Sequence, residues 1–206
     1  MRPQQLITTI AKRTSCFIAI VCVAPFGICE LAMRRLMGRD VFFEFQGELF
    51  SLVPGKVGSY IRNAYYWMTL NRCPLTCRFL LGSVFTHSDV TLGNHVYVGA
   101  FSQIGRASLG DNVLIADHVH VLSGKQQHGF ADPSIPMWQQ AKVFSPIQIG
   151  SNSWLGANCV VMADVGKNCV IGAGSVVTRP IGDNSVAAGN PARILRETYP
   201  EAVRKD

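Results

Sequence analysis

The chain has 206 residues, 48% hydrophobic and 16% charged. That composition excludes a disordered chain and fits one main domain with an appendage. The net charge of +6 falls entirely in residues 1–78, where ten Lys/Arg face four acids, whereas the signs balance from residue 79 onward. This excludes a nucleic-acid surface spread over the whole fold and points to a local partner, such as an anionic membrane surface.

The first predicted element is the apolar run Thr14 to Cys29, TSCFIAIVCVAPFGIC, with Lys12 and Arg13 before it and Arg34 and Arg35 after it. The run is shorter than the roughly 20 residues a spanning helix needs, and Pro25 interrupts it. No small-x-small cleavage site follows, so a signal peptide fits poorly. A membrane-embedded or interfacial helix, a helix buried against the main domain and a true span all remain open. Association with a membrane surface through residues 1–40 is the expectation.

Asp40 to Pro54 reads as loop with a short strand. Residues 56–70, KVGSYIRNAYYWMTL, read as a helix crowded with Tyr60, Tyr65, Tyr66 and Trp67. Such rings suit either a lipid headgroup region or an ordinary core. The seven cysteines are Cys16, Cys22, Cys29, Cys73, Cys77, Cys159 and Cys169. Their odd number and irregular spacing fit a reducing compartment better than a disulfide framework. Cys73 and Cys77 alone are too few for a structural zinc site, and no metal is expected. Residues 1–80 thus form an N-terminal helical, apolar region.

From Leu92 onward an aliphatic residue followed by a small one returns about every six residues. The pairs are Leu92–Gly93, Val98–Gly99, Ile104–Gly105, Leu109–Gly110, Ile115–Ala116, Ile149–Gly150, Leu155–Gly156, Val165–Gly166 and Ile171–Gly172. Four places after each aliphatic stand Val96, Ser102, Ser108, Val113, Val119, Ser153, Cys159, Cys169 and Ser175, all short. Two positions keeping one register predict short strands joined by tight turns, three to a triangular coil, with coils stacked at strand spacing. The aliphatic fills the prism and the short residue fits near a corner. The register slips by one at Ser108–Leu109 and shortens by two between Val161 and Val165.

The stretch PIQIGSNSWLGANCVVMADVGKNCVIGAGSVVTRPIGDNSVAAGNPARIL (146–195) resembles the hexapeptide-repeat acyltransferases, the family of galactoside, maltose, serine and xenobiotic acetyltransferases. The resemblance covers about residues 84–196. It implies a mainly β chain: a left-handed parallel β-helix over 81–191, with a loop extruded at 123–146. Residues 192–206 are expected to form a short C-terminal helix capping the last coil. The N-terminal third, with SLVPGKVGSYIRNAYY (51–66), is similar to the extra region of members that work beside surface-polysaccharide synthesis.

The resemblance also implies the chemistry: transfer of an acyl group, expected to be acetyl, from coenzyme A to a hydroxyl or amine. The family carries a catalytic histidine on its extended loop, which makes His128 the candidate base. Imidazole suits the task, since it titrates near working pH and can take the acceptor's proton. An oxyanion would then need donors that the sequence does not name. His118 and His120, two apart, are expected on one side of a strand lining the acceptor site. His87 and His95 read as surface residues. Cys159 and Cys169, at the inward short position, would be too buried to serve as nucleophiles.

Coenzyme A would run outside the prism, past the backbone of Gly156, Ala157, Gly174 and Ser175, with Thr178, Arg179, Arg193 and Arg196 toward its nucleotide end. Arginine suits phosphate through its planar fork of donors. Trp154 would form a wall beside the catalytic histidine. The family packs three prisms around an axis, so a homotrimer is implied, with a sugar or small-molecule acceptor between subunits. The functional expectation is O-acetylation of a sugar in a surface-polysaccharide or glycolipid precursor, in the cytoplasm at the inner membrane face. The alternatives are an acetyltransferase for a small soluble acceptor (serine, an amino sugar, an antibiotic) and a non-catalytic or metal-dependent β-helix protein.

Overall fold

A computed structural model describes residues 3–199, with side chains from residue 11 onward. It opens with three helices, α1 (Pro3–Met37), α2 (Phe43–Ser51) and α3 (Gly55–Thr69). Helix α1 passes through Pro25 without ending, so it is longer than the apolar run suggested. Its segment Ala11–Met37 is 27 residues long with a mean hydropathy of 2.3, enough by length and composition to cross a membrane. One face of α1 packs on α3 through Ala19 and Val23, and Gly27 meets the Met68 side chain.

Residues 43–51 form a helix, not the loop and strand that the mixed local signals predicted. The reason is that both ends of α2 are satisfied from far away. At its start the Phe42 N–H donates to the Glu30 carboxylate at 2.7 Å, and that carboxylate is fully buried. At its end the Arg62 guanidinium donates to the carbonyls of Phe50, Ser51 and Val53 at 3.1, 3.1 and 2.8 Å. Helix ends need such partners; no local side chain caps the start of α2, and at its end only the Ser51 hydroxyl does, donating to the Glu48 carbonyl at 2.7 Å. A fourth Arg62 bond, Nε to the Phe79 carbonyl at 3.2 Å, ties the helices to the prism. Gly58 is required beside it, because a Cβ there would run into the Val53 carbonyl and Arg62.

Tyr65 and Tyr66 belong to the core. Tyr66 lies edge-on to Phe79 and Phe85 at 5.5 and 4.6 Å, the contact through which α3 meets the prism. Such pairs add about 0.5–1.5 kcal/mol each beyond area burial. Trp67, by contrast, faces outward.

The rest of the described chain winds as a three-sided coil. Strands β1 (Arg78–Phe79), β2 (Val84–Phe85) and β3 (Thr91–Leu92) open faces one, two and three. The next coil is β4 (Tyr97–Val98), β5 (Gln103–Ile104) and β6 (Ala107–Leu109), and the third is β7 (Leu114–Ile115), β8 (His120–Val121) and β9 (Ile147–Ile149). Then follow β10 (Trp154–Leu155), β11 (Val160–Val161), β12 (Val170–Ile171), β13 (Val176–Val177), β14 (Ser185–Gly189) and β15 (Ala192–Glu197). Face one stacks β1-β4-β7-β10-β12-β14, face two β2-β5-β8-β11-β13, and face three β3-β6-β9, all in parallel register. Single bridges Ile149–Val165–Ile181 carry face three onward, where the coil is two residues shorter.

The predicted aliphatics point inward and are buried, among them Leu92, Val98, Ile104, Leu109, Ile115, Leu155 and Ile171. Each full burial contributes about 1.5–3 kcal/mol. Of the short residues, Ser102, Ser153, Cys159 and Cys169 also close corner hydrogen bonds. Ser153 Oγ donates to Gly166 O at 2.7 Å and accepts from Cys169 N at 3.0 Å. Ser108 is an exception: Ala107 fills the prism, and Ser108 turns outward to accept from the Thr91 hydroxyl at 2.9 Å.

Just before the inward short residue each corner takes a left-handed backbone, at His95, Phe101, Asn112, His118, Asn152, Asn158, Asn168 and Asn184, and at Gly174 with φ 70°. Asparagine tolerates this conformation better than most residues. It also builds a ladder here, with Asn152 Nδ2 donating to Asn168 Oδ1 and Asn168 Nδ2 to Asn184 Oδ1, both at 3.0 Å.

The C-terminal helix is corrected over the described residues. Ala192–Glu197 is strand β15, antiparallel to β14. The last coil exposes a strand edge, and pairing satisfies its backbone better than a helix laid across it. Residues 200–206 lie outside the described part of the chain.

Candidate active site

The extruded loop leaves after β8 on face two and returns at β9 on face three, so it projects from the corner between those faces. His128 lies on it, exposed, with no hydrogen-bond partner among the described residues. The backbone around it is tied: Gly129 N donates to Ala141 O at 2.8 Å, and Ser145 N to Ser123 O at 2.9 Å closes the base. Gln140 Nε2 donates to the carbonyls of Asp132 and Ile135, both at 2.9 Å. At the loop base a groove of about 380 Å³ runs past Lys125, Gln126, Met162, Asp164 and Pro180.

His118 and His120 do not share a strand face. His118 occupies a left-handed corner and stacks on Phe101 at 5.4 Å, because the turn, not the strand, takes that position. His120 alone is on β8, exposed on face two between Gln103 and Val160. His95 is exposed as expected. His87 is half-buried against Phe144 at 5.4 Å, with its Nδ1 2.8 Å from the Thr86 hydroxyl. Burial, then the nearby Arg106, lowers its pKa.

The coenzyme A candidates can be tested against the backbone. In most coils the turn N–H after the aliphatic–small pair is taken by a side chain from the next coil. Asn94 N donates to Asp111 Oδ1 at 2.6 Å, Ala100 N to Asp117 Oδ1 at 2.7 Å, Arg106 N to Ser123 Oγ at 2.8 Å, and Lys167 N to Asp183 Oδ1 at 2.7 Å. Along the corner between faces one and two the rule holds at Ala100 and then stops. Asp117 lies beneath Ala157 and Ala157 beneath Ala173, neither of which offers an acceptor. The N–H groups of Asp117, Ala157 and Ala173 therefore have no partner among the described residues. Outside this corner the same holds at Ser151, beneath Lys167, and at Asp183 in the last coil.

Gly174 is exposed beside this run, with nothing within 4 Å of where a Cβ would stand. An edge stripped of side chains, with outward amide donors one coil apart, fits an extended molecule carrying amide carbonyls. The residues present thus fit a pantetheine arm. Of the residues expected from the sequence, Ala157 and Gly174 lie on this edge, the Gly156 N–H is taken by the Ile171 carbonyl at 2.8 Å, and Asp117 and Ala173 were not among them. The missing acidic or hydroxyl side chain at the turn position is the signal that would have found them.

Ser175 is a partial correction. Its side chain is fully buried at the inward position, where Oγ accepts from Gly189 N at 3.1 Å, and its carbonyl accepts from Val160 N. It shapes the corner and offers nothing outward. Thr178 and Arg179 sit at the other edge of face two, after β13. Arg193 and Arg196 pair with Ala188 and Val186, across a register irregularity between Val186 and Ala187. That bulge puts residues three apart on one outer face, as the predicted helix would have done for a different reason. Each uses one guanidinium nitrogen on a neighbouring carbonyl. Trp154 faces outward on face one, 47% exposed, between Leu114 and Val170. Within one chain it is therefore not beside the loop.

Cys159 and Cys169 are buried, and burial pushes both thiols up in pKa. Each donates to a carbonyl at 3.0 Å, of Gly172 and Gly182. Among the described residues no three His, Cys, Asp or Glu side chains gather as a metal site would require.

If the edge binds as described, Ala173→Asp would restore the missing acceptor above the Ala157 N–H, as Asp117 does above Ala100. Acetyl-CoA affinity should fall about ten-fold or more, the weight of one to two lost hydrogen bonds and an added negative charge. The melting temperature should stay unchanged. Titration calorimetry beside a thermal melt checks both.

Residues 146–179 match the family described as the hexapeptide repeat of succinyl-transferase. No curated protein sequence matches the chain. Among solved structures, a maltose O-acetyltransferase from Clostridium difficile 630 is similar at 21% identity and a TM-score of 0.66, covering 77% of this chain and 87% of that one. A hexapeptide-repeat acetyltransferase from Vibrio cholerae is similar at 20% identity and TM-score 0.64, over 77% and 92%. A galactoside acetyltransferase in complex with coenzyme A reaches 26% identity at TM-score 0.56, over 76% and 80%. The fold is the left-handed parallel β-helix, residues 146–179 carry the hexapeptide repeat, and the chain is similar to acyltransferases built on that fold.

Proposed function

We propose that the protein transfers acetyl from acetyl-CoA to a sugar hydroxyl of a surface-polysaccharide or glycolipid precursor, working as a homotrimer at the cytoplasmic face of a membrane. The observation that carries the transfer is the bare edge of unpaired N–H groups on a prism that also extrudes a histidine loop. His128 takes the acceptor's proton as the oxygen attacks the thioester carbonyl, and coenzyme A leaves as its thiol. Arg193 and Arg196, on one outer face, hold phosphate.

Assembly follows from the placement of these groups. His128 and the amide edge sit at different corners of one chain, and Trp154 lies on a further face. A loop that crosses to a neighbouring prism brings them together. The loop carries exposed Phe130, Met137 and Trp138, at 70%, 67% and 72%, an apolar load that suits burial against another subunit.

The membrane side rests on α1 and α2. Phe17, Val21 and Ile28 of α1 are 68%, 57% and 60% exposed, and Phe45 and Leu49 of α2 add to the same apolar exposure.

The test is release of free thiol from acetyl-CoA with a panel of sugar acceptors, run for the parent chain and for Phe17→Glu/Val21→Glu/Ile28→Glu. Deleting residues 1–40 is a poorer test, since it removes buried Val23 and Glu30. The proposal expects thiol release with sugars, and loss of membrane association in the triple variant. No thiol release with any sugar would reject the transfer. A parent chain that does not partition into membranes would reject the membrane role and favour a soluble acceptor.

A further inference from the structure

Beside the prism, where α1 and α3 lie side by side, two cavities share a boundary. One, about 290 Å³, is of mixed polarity, with Lys12, Lys56, Asn63 and Arg78 beside Leu75 and Cys77. The other, about 560 Å³, is an apolar groove between the helices, lined chiefly by Ile18, Ala19, Cys22, Val57 and Ile61. Lys12, Lys56 and Tyr60 line both, so the cleft opens directly into the groove. Both volumes are within the range of small-molecule sites.

The charge in the cleft is met by no carboxylate among the described residues; Arg78 lies over the Tyr97 ring at 5.9 Å, and the two lysines have no charged partner. Helix α3 contains no acid. The one acid on α1, Glu30, stands 18 residues from Lys12, about 27 Å along the helix, and is held by Arg34 and the Phe42 N–H. Asn63, buried on the cleft floor, is fixed by donating to the Cys77 carbonyl at 2.9 Å. A concentrated positive charge at the mouth of an apolar groove matches one kind of molecule: an anionic head joined to a hydrocarbon chain.

We infer that this paired cleft and groove binds one phosphate-bearing membrane lipid, its phosphate between Lys12, Lys56 and Arg78 and its chain in the groove lined by Ile18, Ala19, Cys22, Val57 and Ile61. The site rests on the membrane-facing part of the proposed function and is independent of acetyl transfer. Held there, a lipid fixes the angle at which the helices, and the prism welded to them, stand on the bilayer. Phosphate answers the lysines better than a carboxylate would, since it offers several acceptor oxygens to three separate donors.

The experiment uses the full chain in a neutral detergent and three probes, decyl phosphate, decanol and inorganic phosphate, each titrated by calorimetry below its micelle concentration. Decyl phosphate should bind about ten-fold or more tighter than either half-ligand. Lys12→Gln/Lys56→Gln should remove that advantage while leaving decanol binding as it was. Ile61→Asp should weaken decanol and decyl phosphate together. Equal binding of decyl phosphate and decanol, or an unaffected lysine variant, would overturn the head site. Inorganic phosphate binding as tightly as decyl phosphate would overturn the lipid in favour of a free anion. Acetyl-CoA binding, measured on the lysine variant, should not move. Failure here is thereby told apart from failure of the transfer reaction.

Discussion

His128→Ala should lower turnover about 10²–10⁴-fold, the usual weight of a positioned general base, and should leave acetyl-CoA affinity where it was. The argument runs through the loop. His128 is exposed, so truncating it opens no cavity. Its backbone is held independently of its side chain by the Gly129–Ala141 bond and by Gln140 across the loop. Loss of folding therefore cannot mimic loss of chemistry. The edge at Asp117, Ala157 and Ala173 belongs to another corner, so binding of the thioester should not sense the change. His120→Ala is the control. It sits on a flat outer face between Gln103 and Val160, with no loop to carry it to an acceptor, and should cost much less than His128→Ala. Single-turnover transfer measured beside equilibrium binding separates the two effects. An undiminished rate for His128→Ala, with a collapsed rate for His120→Ala, would move the base to face two.

The prism was legible because its signal is periodic. An aliphatic such as Leu155 must point inward in every coil, and a short residue such as Cys159 must fill the corner, so two positions keep one register. The places where that reading failed have physical reasons. His118 looked like a strand residue, yet the same offset is occupied by Asn112, Asn152, Asn158, Asn168 and Asn184, and the recurring asparagine marks a left-handed corner. Ala192–Glu197 is rich in helix formers, but a free strand edge overrode intrinsic preference. Helix α2 was hidden because its terminal partners, Glu30 and Arg62, lie 12 and up to 12 residues away in sequence. The site was only half legible for a similar reason. Ala157 could be named from resemblance, but the vacancy above its N–H depends on which residue stacks one coil later. The cationic cleft was foreshadowed by the charge excess before residue 79; that Lys12, Lys56 and Arg78 converge follows only from the packing of α1 on α3.

Arg62→Met should destabilise the chain by about 2–4 kcal/mol, since two acceptors lose their donor and each such loss costs about 1–3 kcal/mol. Arg62 is 1% exposed and faces carbonyls, not a carboxylate. Burial lowers its pKa, because desolvation disfavours the charged guanidinium. Methionine matches much of the stem but supplies none of the four bonds. Of the four carbonyls, Ser51 keeps the Gly82 N–H at 2.8 Å and Phe50 the Val53 N–H at 3.3 Å, so the two left without a donor are Val53, past the end of α2, and Phe79, at the start of the prism. Water can reach the Val53 carbonyl more easily than the others, so part of the loss is recovered there, and the figure stays below the full sum. The damage should be local before it is global. The helices should detach from β1 and β2 while the later coils keep their stacked ladder. Denaturant unfolding followed by Trp67 on α3 should shift first, ahead of the far-ultraviolet signal of the strands. Arg62→Lys, which keeps the charge but reaches fewer carbonyls, should fall between the two. A shift below about 1 kcal/mol for Arg62→Met would mean that water replaces the guanidinium at every carbonyl, and that the aromatic contacts of Tyr66 with Phe79 and Phe85 alone hold the helices to the prism.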